Sequence, residues 1–287
     1  MLLALLQSAS SIIILGTGTP NPDPERSGPS VAVVINQTAY LVDAGPGVVR
    51  RAAQAADRYQ ITGLKAEKIG VVFLTHLHSD HTVGLPDVIH TGWVAEREAP
   101  LRLFGPNGTH EMTDHLTRAW SKDIRVRTEG DQPHTKNGWK VDATDIRPGV
   151  IYRDSKVTVT AVPVRHTNWD EAFAYRFETP DRVFVISGDV VSTEAVADAC
   201  NGCDILVHEV YSLERWKTIP TEWQRYHAGS HTSTVELAAL ARRARPRLLV
   251  LYHQLYWGAT DQDLLKEVRA AGYEGPTVSA TDLLRVP

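Results

Sequence analysis

Four residues whose side chains commonly bind metal ions lie within six positions of one another: His76, His78, Asp80 and His81. They follow the apolar run 71–74, which has the composition of a buried strand. Imidazole and carboxylate groups suit zinc and similar divalent ions, and a catalytic ion also needs an open position for water. Since a metal lowers the pKa of bound water toward about 7, the segment predicts a hydrolytic site with a metal-bound hydroxide as nucleophile.

Two metal ions about 3.5 to 4 Å apart can act on one reaction, but four ligands are too few for both ions. Three further candidates each follow a predicted strand: His166, Asp189 and His253. Loops at strand ends hold catalytic groups in place and leave them accessible. We therefore predict seven ligands for two divalent ions, with zinc the first expectation and manganese or iron the alternatives.

The elements that must position these residues are mainly strands. Apolar, β-branched runs between turn residues predict strands at 12–15, 31–35, 40–42, 71–74, 101–104, 157–164, 183–186, 205–207 and 248–252. Helical patterns cover 46–56, 232–245 and 260–271, and the last two begin at threonines suited to capping. The mixture predicts an α/β fold of sheets covered by helices. Since no linker or repeat divides the chain, we expect one domain over residues 11–287.

The H-x-H-x-D-H motif at 76–81, Asp189 in Ser187-Gly188-Asp189 and the strand-end histidines resemble the metallo-β-lactamase superfamily of binuclear hydrolases. The resemblance implies an αββα sandwich, in which two mixed β-sheets pack face to face with helices outside. It also implies a division of the ligands: one ion on His76, His78 and His166, a second on Asp80, His81 and His253, and Asp189 bridging both.

Further segments extend this resemblance over nearly the whole chain. Leu15-Gly-Thr-Gly-Thr-Pro20 and Leu41-Val-Asp-Ala-Gly45 resemble early strands and loops of the superfamily. His231-Thr-Ser233, followed by a helix and Leu251-Tyr-His253, is similar to the ribonuclease Z branch, and arylsulfatase-like relatives of that branch are a further candidate. The resemblance implies that His231 is catalytic, protonating the leaving oxygen or stabilising charge on the substrate, while Asp80 also orients the hydroxide.

The choice of substrate depends on features outside the motifs. Many ribonuclease Z relatives, which cut transfer RNA precursors, carry a long arm between the third metal histidine and the bridging aspartate, but only 22 residues separate His166 from Asp189. The formal net charge is −4, which gives no general attraction to nucleic acid. We therefore expect a small phosphate or sulfate ester, as for an arylsulfatase or phosphodiesterase, and nucleic acid is not expected. An aryl group is favoured by the aromatic residues Trp93, Trp169, Tyr211, Trp216, Trp223, Tyr226 and Trp257.

Three other functions stay open: a transfer RNA 3′-end processing endonuclease, a lactamase or other amide hydrolase, and a metal-binding scaffold without activity. True β-lactamases of the superfamily typically carry Cys or Ser where Asp189 stands, which favours ester hydrolysis. Asp43, His208 and Glu209 either orient ligands or are structural. The other histidines are expected at the surface or in packing: His90, His110, His115, His134 and His227.

The compartment and the assembly are not fixed by the sequence. Residues 1–10 resemble a secretory signal remnant or leader but lack a positively charged start, so we expect a periplasmic or secreted protein if they are a signal and a cytoplasmic one otherwise. No apolar run reaches about 18 residues, which predicts no membrane span. A homodimer is possible. Cys200 and Cys203 are expected to be structural or incidental thiols.

Overall fold

The computed structural model describes residues 10–287, which form two seven-stranded β-sheets. The first sheet contains β1 (Ser10–Gly16), β2 (Ser30–Ile35), β3 (Thr38–Val42), β4 (Val71–Phe73), β5 (Leu101–Gly105), β6 (Val141–Asp145) and β14 (Arg285–Val286). The second contains β7 (Gly149–Arg153), β8 (Thr158–Val164), β9 (Ala172–Glu178), β10 (Val183–Ile186), β11 (Ile205–Tyr211), β12 (Leu248–Leu255) and β13 (Thr277–Ser279).

Both sheets are mixed. Their strand orders are β14-β1-β2-β3-β4-β5-β6 and β13-β12-β11-β10-β9-β8-β7. In the second sheet β8, β9 and β10 pair antiparallel, whereas β10, β11 and β12 pair parallel. The strands β8, β10, β11 and β12 therefore run in one direction, and their carboxyl ends meet at one edge of the sheet.

Helices cover the outer faces of both sheets. They are α1 (Val48–Tyr59), α2 (Ser79–Thr82), α3 (Leu85–Val94), α4 (Thr109–Ala119), α5 (Ser121–Glu129), α6 (Glu194–Cys200), α7 (Leu213–Trp216), α8 (Thr221–Ala228), α9 (Thr234–Ala244) and α10 (Asp261–Ala270). Two short 3-10 turns lie at Thr62–Leu64 and Ala66–Lys68.

The core consists of three apolar layers. Alternate residues of both sheets, among them Phe73 and Phe184, fill the central layer between the sheets. A second layer joins the first sheet to α1 and α3, and a third joins the second sheet to α6, α9 and α10. The central strands of each sheet therefore face the opposite sheet on one side and helices on the other, and both of their faces are buried, whereas the edge strands β6 and β7 are largely exposed. The predicted αββα sandwich is confirmed.

Each predicted strand matches an observed strand, although those at 71–74 and 157–164 each extend one residue too far, and the predicted helix ends differ by a few residues. The helix expected at 46–56 is α1 and begins at Val48. Ser233 caps α9, and its hydroxyl accepts from the backbone N–H of Glu236, so capping by Thr232 was wrong. Thr260 caps α10 in the same manner, as expected. Within residues 10–287 no helix has the length and apolar character needed to cross a membrane.

The structure bears differently on the prediction for residues 1–10 and on the prediction for the two cysteines. The leader predicted for residues 1–10 lies outside the described residues, apart from Ser10, which begins β1. Cys200 and Cys203, expected to be structural or incidental thiols, are joined in a disulfide. Both side chains are buried, because Cys200 ends α6 and Cys203 precedes β11 in the helix-covered layer.

Candidate metal centre

The histidine-rich motif occupies the connection that follows β4. His76 and His78 lie in the loop, and Asp80 and His81 lie in the one-turn helix α2. The loop is tied to the second sheet, because the backbone N–H of Phe173 donates to the Thr75 carbonyl at 2.9 Å. The motif therefore lies where the two sheets meet, next to the carboxyl ends of the second sheet's parallel strands.

Four ligand-type atoms form a first cluster. His78 Nδ1 lies 3.0 Å from His76 Nε2 and 3.1 Å from His166 Nε2. Asp189 Oδ2 lies 4.0 Å from His76 Nε2 and 3.9 Å from His166 Nε2. Ligands with bonds of about 2.1 Å in tetrahedral geometry stand about 3.4 Å apart, so these separations suit one small cation.

A second cluster adjoins the first through Asp189. Asp80 Oδ2 lies 3.5 Å from His81 Nε2 and 3.3 Å from His253 Nε2. The other carboxylate oxygen of Asp189, Oδ1, lies 3.4 Å from His81 Nε2 and 3.7 Å from His253 Nε2. One oxygen of Asp189 thus faces each cluster, and the structure brings together all seven ligand-type residues that the sequence singled out.

The chemistry of these atoms fits a bound cation. His81 Nε2 and Asp189 Oδ1 face each other, are buried, and have no hydrogen-bond partner. A buried polar atom without a partner is costly unless something else satisfies it. Because both atoms offer lone pairs, a divalent ion satisfies both, and the cluster and the fold together indicate divalent metal binding.

A buried network behind the ligands orients two of the histidines. His81 Nδ1 donates to Asp43 Oδ2 at 2.8 Å, which leaves Nε2 free to bind metal. The Thr75 hydroxyl donates to Asp43 and stands 3.0 Å from His76 Nδ1. Asp43 has a left-handed backbone, with a φ of 62°. Asp43 is therefore an orienting residue, the role that the sequence had left open.

His166 and His253 are held by backbone structure. His166 Nδ1 donates to the Ser230 carbonyl at 2.7 Å, which fixes the tautomer with Nε2 toward the cluster. His253 is the extra residue of a β-bulge, because Tyr252 pairs with Glu209 and Gln254 pairs with Val210. Its φ is 46°, an uncommon left-handed value that turns the side chain toward Asp80.

Burial and nearby charge shift the pKa values of the clustered histidines in opposite directions. Burial lowers the pKa of His76 well below its usual value and that of His166 to about 4, so both imidazoles are neutral and able to bind metal. Burial also acts to lower the pKa of His81, but the carboxylates of Asp189 and Asp43 outweigh it and raise that pKa. The site therefore concentrates negative charge that favours a cation.

His231 stands beside the clusters without belonging to either of them. Its Nδ1 lies 3.9 Å from Asp189 Oδ2 and 3.4 Å from Glu209 Oε2. The other oxygen of Glu209 accepts from the backbone N–H groups of Val190 and Thr232 at 3.2 and 3.0 Å. Glu209 is thus fixed in place and faces His231. His208 is also buried, with Nδ1 bonded to the Glu209 carbonyl, and does not reach the ligands.

A cavity of about 720 Å³ opens above the ligands. Its polar floor includes His78, Asp80, Asp189, His231 and His253, and its walls include Ile219, Pro220, Trp223, Tyr226, His227, Leu255 and Trp257. Of the aromatic residues noted in the sequence, Trp93 is fully buried elsewhere, whereas Trp169 contacts the ring of His78 at 5.2 Å. Only part of the aromatic set therefore belongs to the cavity.

Two residues of the site were missed or undervalued by sequence reasoning. His227 was expected at the surface or in packing, yet it lines the cavity with its ring 5.5 Å from that of His231. Its position four residues before His231 is the signal that could have revealed it. Thr75 carried no signal beyond its place next to His76. His110, His115 and His134 have no part in the site.

Comparison with known proteins shows which superfamily the chain belongs to. Residues 38–254 match the model of the beta-lactamase superfamily domain, and the chain belongs to this superfamily of hydrolases. Within it the chain falls in the ribonuclease Z-like branch. It is 33% identical over 279 residues to "Ribonuclease Z" of Mycobacterium bovis, covering 96% of this chain and 97% of the relative. Ribonuclease Z of Mycobacterium marinum is 32% identical with the same coverage.

Solved structures agree on the fold. The metallo-beta-lactamase fold protein YhfI from Bacillus subtilis superposes with a TM-score of 0.73 at 17% identity, over 96% of this chain and 98% of that one. Human tRNase Z, short form, gives 0.70 at 20% identity over the same shares. At these identities the likeness shows the αββα architecture alone.

The relatives overturn two expectations from the sequence. The small phosphate or sulfate ester as substrate was wrong, because relatives similar over nearly their whole length are ribonucleases. The expectation that nucleic acid is not a partner was wrong for the same reason. Since the aligned 279 residues make up 96% of this chain and 97% of the relative, the two are nearly equal in length. The missing arm therefore does not separate this chain from a ribonuclease Z.

Proposed function

We propose that this protein is a metal-dependent endoribonuclease of the ribonuclease Z type, which hydrolyses a phosphodiester bond at the 3′ end of transfer RNA precursors. The observation that carries the proposal is the 33% identity to ribonuclease Z over nearly the full length of both chains, together with seven ligand-type side chains gathered in one place. The transfer RNA processing enzyme, which the sequence left open as an alternative, thus becomes the main proposal.

The proposed metal centre holds two divalent ions, zinc first among the candidates. His76, His78 and His166 would bind one ion, Asp80, His81 and His253 the second, and Asp189 would bridge them with one oxygen on each. The distances of 3.3 to 4.0 Å that Asp80 and Asp189 make with the histidines support this division. When bound, such ions activate water and neutralise charge on the phosphodiester.

The protein's own groups then position the reactants. Asp80, 7% exposed on the cavity floor, accepts a hydrogen bond from the attacking water and holds it in line with the phosphorus. His231 lies on the same floor and donates a proton to the leaving oxygen or a hydrogen bond to the phosphate. Glu209 Oε2, 3.4 Å from His231 Nδ1, is placed where it would accept from that ring nitrogen and hold the ring in this orientation.

The test is cleavage of a transfer RNA precursor with a 3′ extension by the zinc-loaded protein. Since water is the nucleophile, the cut leaves no cyclic phosphate, and a precursor with 2′-deoxyribose at the cut site is still cleaved. The Asp189→Ala variant is expected to be inactive on both substrates. Absence of a cut in the intact precursor, or an equal cut by Asp189→Ala, would show the proposal to be wrong.

A further inference from the structure

Part of the cavity wall is formed by aromatic side chains that remain accessible. Trp223 and Tyr226 lie on α8 and are 53% and 41% exposed, and Trp257 follows β12. Large aromatic rings that remain accessible in a pocket above catalytic groups are typical of a ligand contact. Since the core layers leave these rings out, packing of the fold does not account for them.

The rings form a continuous series that leads to the metal centre. Trp223 and Tyr226 meet edge to face with their centroids 5.8 Å apart, and the ring of Trp223 lies 5.8 Å from that of His227 with the two planes inclined by 27°. His227 contacts Trp257 at 4.7 Å and His231 at 5.5 Å. A planar group that entered this series would lie next to His231, and therefore next to the reacting phosphate of a bound substrate.

Hydrogen bonds fix α8 relative to the ligands. The indole N–H of Trp216 donates to the Gln224 carbonyl at 2.9 Å, and the Gln224 side chain donates to the Ile219 carbonyl at 2.9 Å. Beyond the end of α8, the Ser230 carbonyl accepts from His166 Nδ1. The aromatic wall is thus joined directly to a proposed metal ligand, which preorganises the distance between the two.

The side chains of the cavity wall suit an uncharged planar ring. Among the described residues that line it, none is Lys or Arg, so the wall offers stacking surfaces and no ion pairs for phosphate. A nucleobase presents such a ring, and its stacking on aromatic side chains tolerates any sequence. We infer that Trp223, Tyr226 and Trp257 form a stacking subsite for the nucleobase adjacent to the scissile phosphate. This rests on the proposed function.

The test compares RNA substrates that differ by one base. The zinc-loaded protein is given an intact precursor and, for comparison, a precursor that lacks one base next to the cut. The abasic position is placed first on one side of the cut and then on the other. We expect Trp223→Ala to lower kcat/KM on intact RNA by roughly 5- to 150-fold, the range that base stacking supplies. On RNA that is abasic on the stacked side, wild type and variant should be equal, because the base that stacks is gone.

Matched variants separate stacking from folding. Trp223→Phe keeps an aromatic face and should retain most activity. Trp120→Ala removes a tryptophan that is 40% exposed but lies outside this cavity, and it should behave as wild type on both substrates. If Trp223→Ala loses the same factor on intact RNA and on RNA abasic at either side, the subsite does not bind a base and the inference is overturned.

A binding measurement distinguishes failure of the subsite from failure of the proposed function. If wild type cuts no RNA, the proposed function is wrong, and adenosine 5′-monophosphate is titrated into the zinc-loaded protein by calorimetry in 0.5 M salt. High salt weakens phosphate contacts more than stacking. Binding that Trp223→Ala weakens by about 10-fold or more upholds the subsite. Equal binding by both proteins, or none by wild type, overturns it.

Discussion

The polar groups behind the metal centre determine how each ligand-type histidine is oriented. Asp43 accepts from His81 directly and connects to His76 through Thr75, while His166 is held by the Ser230 carbonyl. The sequence motif indicates which residues gather, because imidazole and carboxylate at close spacing are typical of metal ligands. It does not reveal these partners, since a threonine or a distant carbonyl carries no pattern of its own.

Asp189 is expected to be the most sensitive residue of the centre. In Asp189→Asn one oxygen becomes an amide nitrogen, which repels a cation, so we expect metal content to fall from two ions per chain toward one or none. Turnover of RNA should fall by more than about 100-fold, since even partners of ligands affect metal binding by 10- to 100-fold. Metal analysis and cleavage assays check this, with the exposed Asp142→Asn as control. Two retained metals would refute the bridging role.

His231 is expected to affect turnover without affecting metal. His231→Ala should lower kcat by about 100- to 10,000-fold, the usual contribution of an acid or base, because the phosphate loses its proton or hydrogen-bond donor. Metal analysis of the same sample should still find two ions. Loss of metal together with activity would instead make His231 a ligand.

Among the elements, the second sheet's strands carry three of the seven ligand-type residues, and the connection after β4 carries the other four. The sequence predicted this, because His166, Asp189 and His253 each follow an apolar run. It could not predict the bulge at His253, whose left-handed backbone depends on pairing between two distant strands. It singled out Trp223 and Tyr226 as aromatic residues near a substrate, but it did not predict the helix α8 that places them in the cavity wall.

The close approach of the two sheets depends on Gly188. Its φ is +60°, and an added Cβ would lie 2.7 Å from Thr75 Cβ, against the loop that carries His76. Gly188→Ala should cost about 1–2 kcal/mol from the left-handed backbone alone and more from the clash, and it should reduce metal content by displacing Asp189. Gly202→Ala, with a φ of +83° and open space, isolates the backbone cost. If Gly188→Ala and Gly202→Ala lost the same unfolding free energy in urea and the same amount of bound metal, this reasoning would be contradicted.

At the scale of the whole molecule, composition misled the choice of substrate. A net charge of −4 averages over the whole surface, whereas the proposed RNA substrate would meet only the few groups that line the cavity. The short segment between His166 and Asp189 does exclude a long arm, but a ribonuclease Z relative of nearly equal length shows that this segment does not set the chain apart from that family. Fold and candidate ligands follow from local pattern; substrate does not.

The two sheets are joined on one side by Asp154, which provides a pH-dependent contact. Tyr40 of the first sheet and Tyr152 of the second donate to its Oδ2 at 2.6 and 3.0 Å. Burial raises the pKa of Asp154, but the hydrogen bond from Tyr40, with those from Lys156, Tyr152 and Val157, outweighs burial and lowers it. The carboxylate therefore stabilises the fold above its unfolded pKa of about 3.9, and this is lost as pH falls through the folded pKa.

Asp154→Asn should reveal this dependence. Because Asp154 is partly exposed, we expect a loss of roughly 1 kcal/mol in the free energy of unfolding at pH 7. The difference from wild type should shrink when urea unfolding is repeated near pH 3. A difference that stayed constant with pH would argue against the charged hydrogen bonds.

The most direct test of the central proposal is a zinc titration followed by RNA cleavage. Protein freed of metal with a chelator is given increasing zinc, and cleavage of a transfer RNA precursor is measured at each step. We expect no cleavage without metal and full activity at two equivalents per chain, because both clusters share Asp189. Cleavage by the metal-free protein, or none at any zinc concentration, would contradict a binuclear ribonuclease.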